Sequence, residues 1–138
     1  MEKSNLQFTD PHITKIDFRL NDYETITEAM PISIEVESEI NQDYKEAIVR
    51  LNLIVGKVDD ENDVVTSFYF NGVICADFHW KEDVKNPEKM LKINGGTVLL
   101  SYIRPILASL TMQAGIKPLN LPFINFTKWY SLTVKDTH

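Results

Sequence analysis

The chain has 138 residues, is 43% hydrophobic and carries a formal charge of −6 with a pI near 5.0. These values fit one domain with a real core and exclude a nucleic-acid surface, which needs clustered Lys and Arg to neutralise phosphate. No segment reaches the ~20 continuous apolar residues of a membrane span, and the single cysteine, Cys75, excludes an intramolecular disulfide.

Residues 1–11 are polar, end at Asp10-Pro11 and are expected to be a frayed start to a single domain spanning residues 1–138. The opening MEKSNLQFTD lacks the apolar run of a signal peptide, so the cytoplasm is the expected location. Residues 12–20 put Ile16, Phe18 and Leu20 on one face and Lys15, Asp17 and Arg19 on the other, which predicts a half-buried strand. The acidic stretch NDYETITEAM, residues 21–30, has no clean period and closes at Pro31, so it reads as a long crossover connection. Beyond it Ile32, Ile34, Val36 and Ile40 alternate with Ser33, Glu35, Glu37 and Glu39, the pattern of an antiparallel strand with one wet face.

Ala47, Val49, Leu51, Leu53 and Val55 alternate with Ile48, Arg50, Asn52 and Ile54, placing Arg50 within reach of one of the glutamates across the strands. Residues 57–63 (KVDDEND) read as a hairpin tip. The spacing of Asp59, Glu61 and Asp63 hints at a calcium loop, but the required Gly and bidentate Glu are missing, and a solvated turn is the better reading. Residues 64–78 form a third long strand pattern, in which Asn71-Gly72 predicts a bulge.

Residues 81–92 are charged, with Asn86-Pro87 as a helix start. Asn94-Gly95-Gly96-Thr97 predicts a break, with Thr97 as N-cap of the next helix. That helix carries Leu99, Leu100, Ile103, Ile106, Leu107 and Leu110 as a wide apolar stripe meant for a sheet. Pro105 predicts a kink or a restart within it. Gly115 suits a left-handed C-terminal cap, and Pro118 and Pro122 bar further helix, so an apolar loop follows. Thr127 is placed to cap a last short helix with Trp129, Tyr130 and Leu132.

Catalytic chemistry finds no support. His12, His79 and His138 are scattered, no zinc spacing occurs, Cys75 has no basic neighbour in sequence, and neither GxSxG nor GxGxxG is present. No enzyme, metal site or cofactor is expected. Two surfaces remain. Loops are normally polar, so Leu119, Leu121, Phe123 and Phe126 must either enter a core or wait for a ligand, and with Tyr23, Ile26 and Met30 of the crossover they are candidates for an apolar groove suited to extended polypeptide. The row Glu35, Glu37 and Glu39 is the second candidate, a docking face for a basic partner, although most charged sheet faces only keep a protein soluble.

The run Leu-x-x-Tyr-x-Arg at residues 99–104, Ser109-Leu110, the Gly-x-x-Pro at residues 115–118, Leu119-Asn120-Leu121 and Asn125-Phe126 resemble the main helix and helix-joining loop of the SecB export chaperones. MPISIEVE, YKEAIVRLNLIVG and the strand through Asn71-Gly72 are similar to three consecutive family strands, so the resemblance covers roughly residues 8–130. It implies an α+β fold, a four-stranded antiparallel sheet with two helices packed on one face, assembled as a homotetramer that is a dimer of dimers. It also implies an ATP-independent holdase for unfolded or pre-export polypeptides, with the crossover as one groove wall and an acidic sheet face for the motor SecA. The chain departs from the family in that face, whose acidic positions on the first and fourth strands fall near Lys15, Arg19 and Ser67. The alternative is an adaptor or structural oligomer of the same fold, for example one associated with a toxin-antitoxin system, that binds one specific protein.

Overall fold

The computed structural model describes residues 6–21, 30–116, 119, 121 and 124–136. Alternating apolar residues fold as the sequence leads one to expect: β2 (His12–Leu20), β3 (Ile32–Asn41), β4 (Glu46–Val55) and β5 (Phe68–His79) form one antiparallel sheet. A short strand β1 (Gln7–Phe8) precedes them. The sheet order is β1-β5-β4-β3, with β2 also on β5. Since β1 and β2 share the same flank of β5, the five strands occupy four positions. The extra strand is an edge strand interrupted at residues 9–11, where Pro11 has no N–H to donate. Thr9 bridges the gap by donating its amide to the Asp77 carbonyl at 2.9 Å.

Residues 7 and 8 are thus not frayed, contrary to expectation. The Phe8 ring, although 39% exposed, lies 5.6 Å from Phe78 and 6.2 Å, edge-on, from Tyr102, and these ring contacts hold the strand against the polar composition around it. The predicted bulge at Asn71-Gly72 is also absent, because pairing with β4 runs unbroken through Leu53↔Gly72 and Ile54↔Asn71. The irregularity falls instead in β2, between Ile13 and Lys15. Gly72 serves close packing: a Cβ there would sit 2.6 Å from Phe70 Cζ and 3.1 Å from Ile103 Cδ1.

One face of the sheet is apolar. Val49, Leu51, Leu53 and Val55 of β4 and Phe70, Ile74 and Phe78 of β5 are buried against the helical layer. That layer begins at α1 (Pro87–Met90), whose N-cap Asn86 accepts the Lys89 amide at 3.1 Å. No break follows at Gly95-Gly96. The chain runs through a π-helical turn (Leu91–Gly95) directly into α2 (Gly96–Gln113), and Thr97, expected as a cap, donates its hydroxyl back to the Ile93 carbonyl at 2.7 Å. The glycines allow approach: a Cβ on Gly95 would stand 3.3 Å from Val49 and one on Gly96 2.8 Å from Phe126. Helix α2 also continues past Pro105 without a restart, burying Leu99, Leu100, Ile103 and Leu107.

The C-terminus of α2 follows the capping expectation. Gly115 has φ 79°, its amide bonds the Met112 carbonyl at 3.1 Å, and the Ile116 amide bonds the Thr111 carbonyl at 3.2 Å, the paired pattern of a Schellman motif. Helix α3 (Phe126–Asp136) closes the chain. Its cap is Asn125 rather than Thr127, with the Asn125 side-chain oxygen accepting the Lys128 amide at 3.1 Å. The sheet therefore carries α2 and α3 on one face, and among the described residues no helix covers the other.

Candidate functional site

Beyond α2, Leu119 and Leu121 lie back along the helix, each held to it at one point. The Thr111 hydroxyl is fully buried; it donates to the Ala108 carbonyl at 2.9 Å and accepts the Leu119 amide at 3.1 Å. Two turns earlier on the same helix, Arg104 Nη2 donates to the Leu121 carbonyl at 2.8 Å. Backbone polar groups of an apolar loop need such partners, since burial of an unpaired amide or carbonyl costs about 1–3 kcal/mol. Thr111 carries a sequence signal of its own. It is a polar residue on the face that Ile103 and Leu107 mark as buried, one turn on, so a hydrogen-bonding duty was predictable.

Between the helix and the returning segment lies an open groove of about 340 Å³, lined by Ser101, Arg104, Pro105, Ala108, Leu119 and Leu121. Small side chains on α2 leave this space, and Arg104 is the one charged residue among the described ones that line it. Of the residues expected to form an apolar groove, Leu119 is half-buried at its edge, and Leu121 contributes to its wall although it is only 3% exposed. Phe126 is likewise 3% exposed, packed against Gly96 and 5.5 Å from the Trp129 ring. Met30 is half-buried against the core. Tyr23, Ile26 and Phe123 lie outside the described residues. Of the two fates foreseen for the apolar loop, Phe126 and Leu121 take the first and enter the core, while Leu119 is half-buried at the groove edge.

Glu35, Glu37 and Glu39 are exposed on the helix-free face of β3. Arg50 is opposite Glu37 in register, yet its guanidinium pairs diagonally with Glu39 at 3.2 Å. The expected cross-strand ion pair therefore forms, and it leaves Glu35 and Glu37 without an ion pair among the described residues. Across the same face, Lys15, Asp17 and Arg19 occupy β2, with Arg19 pairing Asp17 at 3.2 Å and stacking 5.0 Å over the Tyr69 ring. Cys75 and His12 meet there as well, Sγ to Nε2 at 3.2 Å.

The suspected calcium spacing is a self-contained turn, because Asp59 Oδ1 accepts the amides of Glu61 and Asp63 at 3.0 and 2.9 Å. Among the described residues no three His, Cys, Asp or Glu side chains converge as a metal site would need, and no described helix is long and apolar enough to cross a membrane.

Comparison with known proteins agrees with this architecture. The SecB-like chaperone Rv1957 of Mycobacterium tuberculosis, solved in complex with a ChAD peptide from the Rv1956 HigA1 antitoxin, has the same fold at a TM-score of 0.65 and 14% identity, over 87% of this chain and 91% of that one. A protein of unknown function from Streptococcus agalactiae aligns at a TM-score of 0.56 and 14% identity, over 88% of this chain and 100% of that one. In sequence, the uncharacterized protein MJ0357 of Methanocaldococcus jannaschii is 24% identical over 125 residues, 89% of this chain and 81% of its own length. The family model described as preprotein translocase subunit SecB matches residues 23–137. With most of the chain matched and the sheet and two helices in place, the chain belongs to the SecB family.

Proposed function

We propose that this protein is an ATP-independent holdase of the cytoplasm, binding unfolded or precursor polypeptides for protein transport as a homotetramer built as a dimer of dimers. The observation that carries the reading is the groove between α2 and its returning segment. It is open, has Leu119 at its rim, and is framed by backbone anchored to Arg104 and Thr111. Such a surface sets Leu119, Pro105 and Ala108 beside the polar Ser101 and Arg104, a mixed lining that can hold an extended chain by apolar contact and by hydrogen bonds to its backbone. Family membership and the peptide bound to the Mycobacterium tuberculosis relative support it. Assembly is supported by Ile16 and Leu20, 46% and 45% exposed on the edge strand β2. The acidic row at Glu35, Glu37 and Glu39 is the docking face for a SecA-like partner, given the basic residues at Lys15 and Arg19.

The burial of Leu121 and Phe126 favours a narrower reading, an adaptor of the same fold for one specific protein partner, because it limits the apolar surface on offer. Light scattering of an unrelated, chemically unfolded protein separates the two. The holdase suppresses aggregation at stoichiometric ratio without nucleotide; an adaptor leaves the scattering unchanged.

A further inference from the structure

The three arginines of the chain are not used alike. Arg19 pairs with Asp17 and Arg50 with Glu39, both at 3.2 Å, whereas Arg104 makes no ion pair among the described residues. What it holds there is the neutral Leu121 carbonyl, through Nη2 alone, so most of the guanidinium N–H groups stay available. Arg104 is also half-buried, and a cation partly withdrawn from water loses hydration that a carboxylate would replace with charge-assisted hydrogen bonds. The lining of the α2 groove supplies no such carboxylate: around Arg104 stand Ser101, Pro105, Ala108, Leu119 and Leu121.

The same lining sets the shape of what fits. From Ser101 to Ala108 the helix rises about 10 Å, the reach of about three residues of extended chain. Arg104 stands inside that run, with apolar surface from Pro105, Ala108 and Leu119 close by. Pro105 adds a polar contact, because it has no N–H to give and leaves the Ser101 carbonyl without its intrahelical donor. The lining continues to both sides of Arg104, which suits a carboxylate carried within a segment better than one at a chain end. We infer that the α2 groove selects extended polypeptide segments in which a Glu or Asp lies between apolar residues, the carboxylate pairing with Arg104 and its neighbours packing on Pro105, Ala108 and Leu119. This selection rests on the reading of the groove as a polypeptide site and adds the charge of the segment taken. It runs against the long-range field of a chain at −6, which draws in basic segments, so a preference for an acidic one reports contact with a local cation.

The test is fluorescence anisotropy of the full chain with a nine-residue peptide of Leu and Ser carrying one central Glu, labelled at its N-terminus with a neutral dye and amidated at its C-terminus so that the Glu side chain is its only carboxylate. The control is the same peptide with Gln. Wild type is expected to bind the Glu peptide at least tenfold more tightly than the Gln peptide. Arg104→Lys, which keeps the charge without the planar fork, should lower that ratio, and Arg104→Gln should bring it to one. Leu119→Ser should weaken both peptides alike. The wild-type ratio needs no variant to fold, and a ratio of one overturns the selection of acidic segments; weakening of both peptides by Leu119→Ser would then leave the groove itself standing. A Glu preference that survives in Arg104→Gln places the cation elsewhere and overturns the assignment. Binding of neither peptide overturns the selection as well, and titration of a chemically unfolded client then judges the groove separately.

Discussion

The Arg104 guanidinium donates to the Leu121 carbonyl at 2.8 Å, joining residues 17 apart and closing the returning segment over α2. With Thr111 and Leu119 it forms a two-point clamp on one helix face. Replacing Arg104 by Ala removes a charge-assisted hydrogen bond of about 1.5–3 kcal/mol, and Arg104→Lys is expected to recover only part of it, because a lysine offers no planar fork. Urea midpoints for the two variants check this order. Equal midpoints for wild type and Arg104→Ala would remove the clamp from the account.

Thr111→Val keeps shape and strips the buried hydroxyl, leaving the Leu119 amide unpaired at a cost of about 1–3 kcal/mol. Thr111→Ser should lose less. Hydrogen exchange at the Leu119 amide is the sharper readout, expected to accelerate in the Val variant and to stay protected in the Ser variant. Protection in both would show that the amide has another partner.

Gly96 tests why the helical layer runs on where the sequence suggests a break. In a helix interior Gly→Ala normally stabilises by about 0.5–1 kcal/mol. At Gly96 the new Cβ would lie 2.8 Å from the Phe126 ring, so Gly96→Ala is expected to destabilise, by about 1–3 kcal/mol. Adding Phe126→Leu should restore part of the loss, a non-additivity that a double-mutant cycle measures. Stabilisation by Gly96→Ala alone would contradict the close packing of α2 on α3.

Much of this was legible in the chain and some was not, for identifiable reasons. Strand alternation places the apolar faces of β4 and β5 on the core because burial obeys the two-residue period, and the Arg50–Glu39 pair follows from that same period. The left-handed cap at Gly115 was readable because its function is local. Gly72, Gly95 and Gly96 were misread as a bulge and a break because their role is contact with Ile103, Val49 and Phe126, residues distant in sequence. Phe8 pairs with β5 for an equally non-local reason. In the candidate site, Leu119 and Leu121 were picked out by their apolarity in a proline-rich loop. Their different burial depends on the backbone clamp from Arg104 and Thr111, which no local pattern encodes.

Assembly gives a fourth expectation. Ile16 and Leu20 leave an apolar margin along the β2 edge that water disfavours, so sedimentation at micromolar concentration should give a tetramer, with Leu20→Lys shifting it to smaller species. A wild-type monomer would rule out the proposed dimer of dimers.

The central claim is that polypeptide binds beside Leu119, and Leu119→Ser against Leu121→Ser is its most direct test. A titration of a chemically unfolded client without nucleotide and with EDTA present is run on both variants and the wild type, next to thermal melts. Leu121, only 3% exposed, belongs to the core, and its truncation should lower the melt by an amount corresponding to about 2–5 kcal/mol. Leu119 sits at the groove rim. The account predicts that Leu119→Ser weakens client binding at least tenfold with a melt within a few degrees of wild type. Unchanged client affinity in a folded Leu119→Ser variant would contradict it.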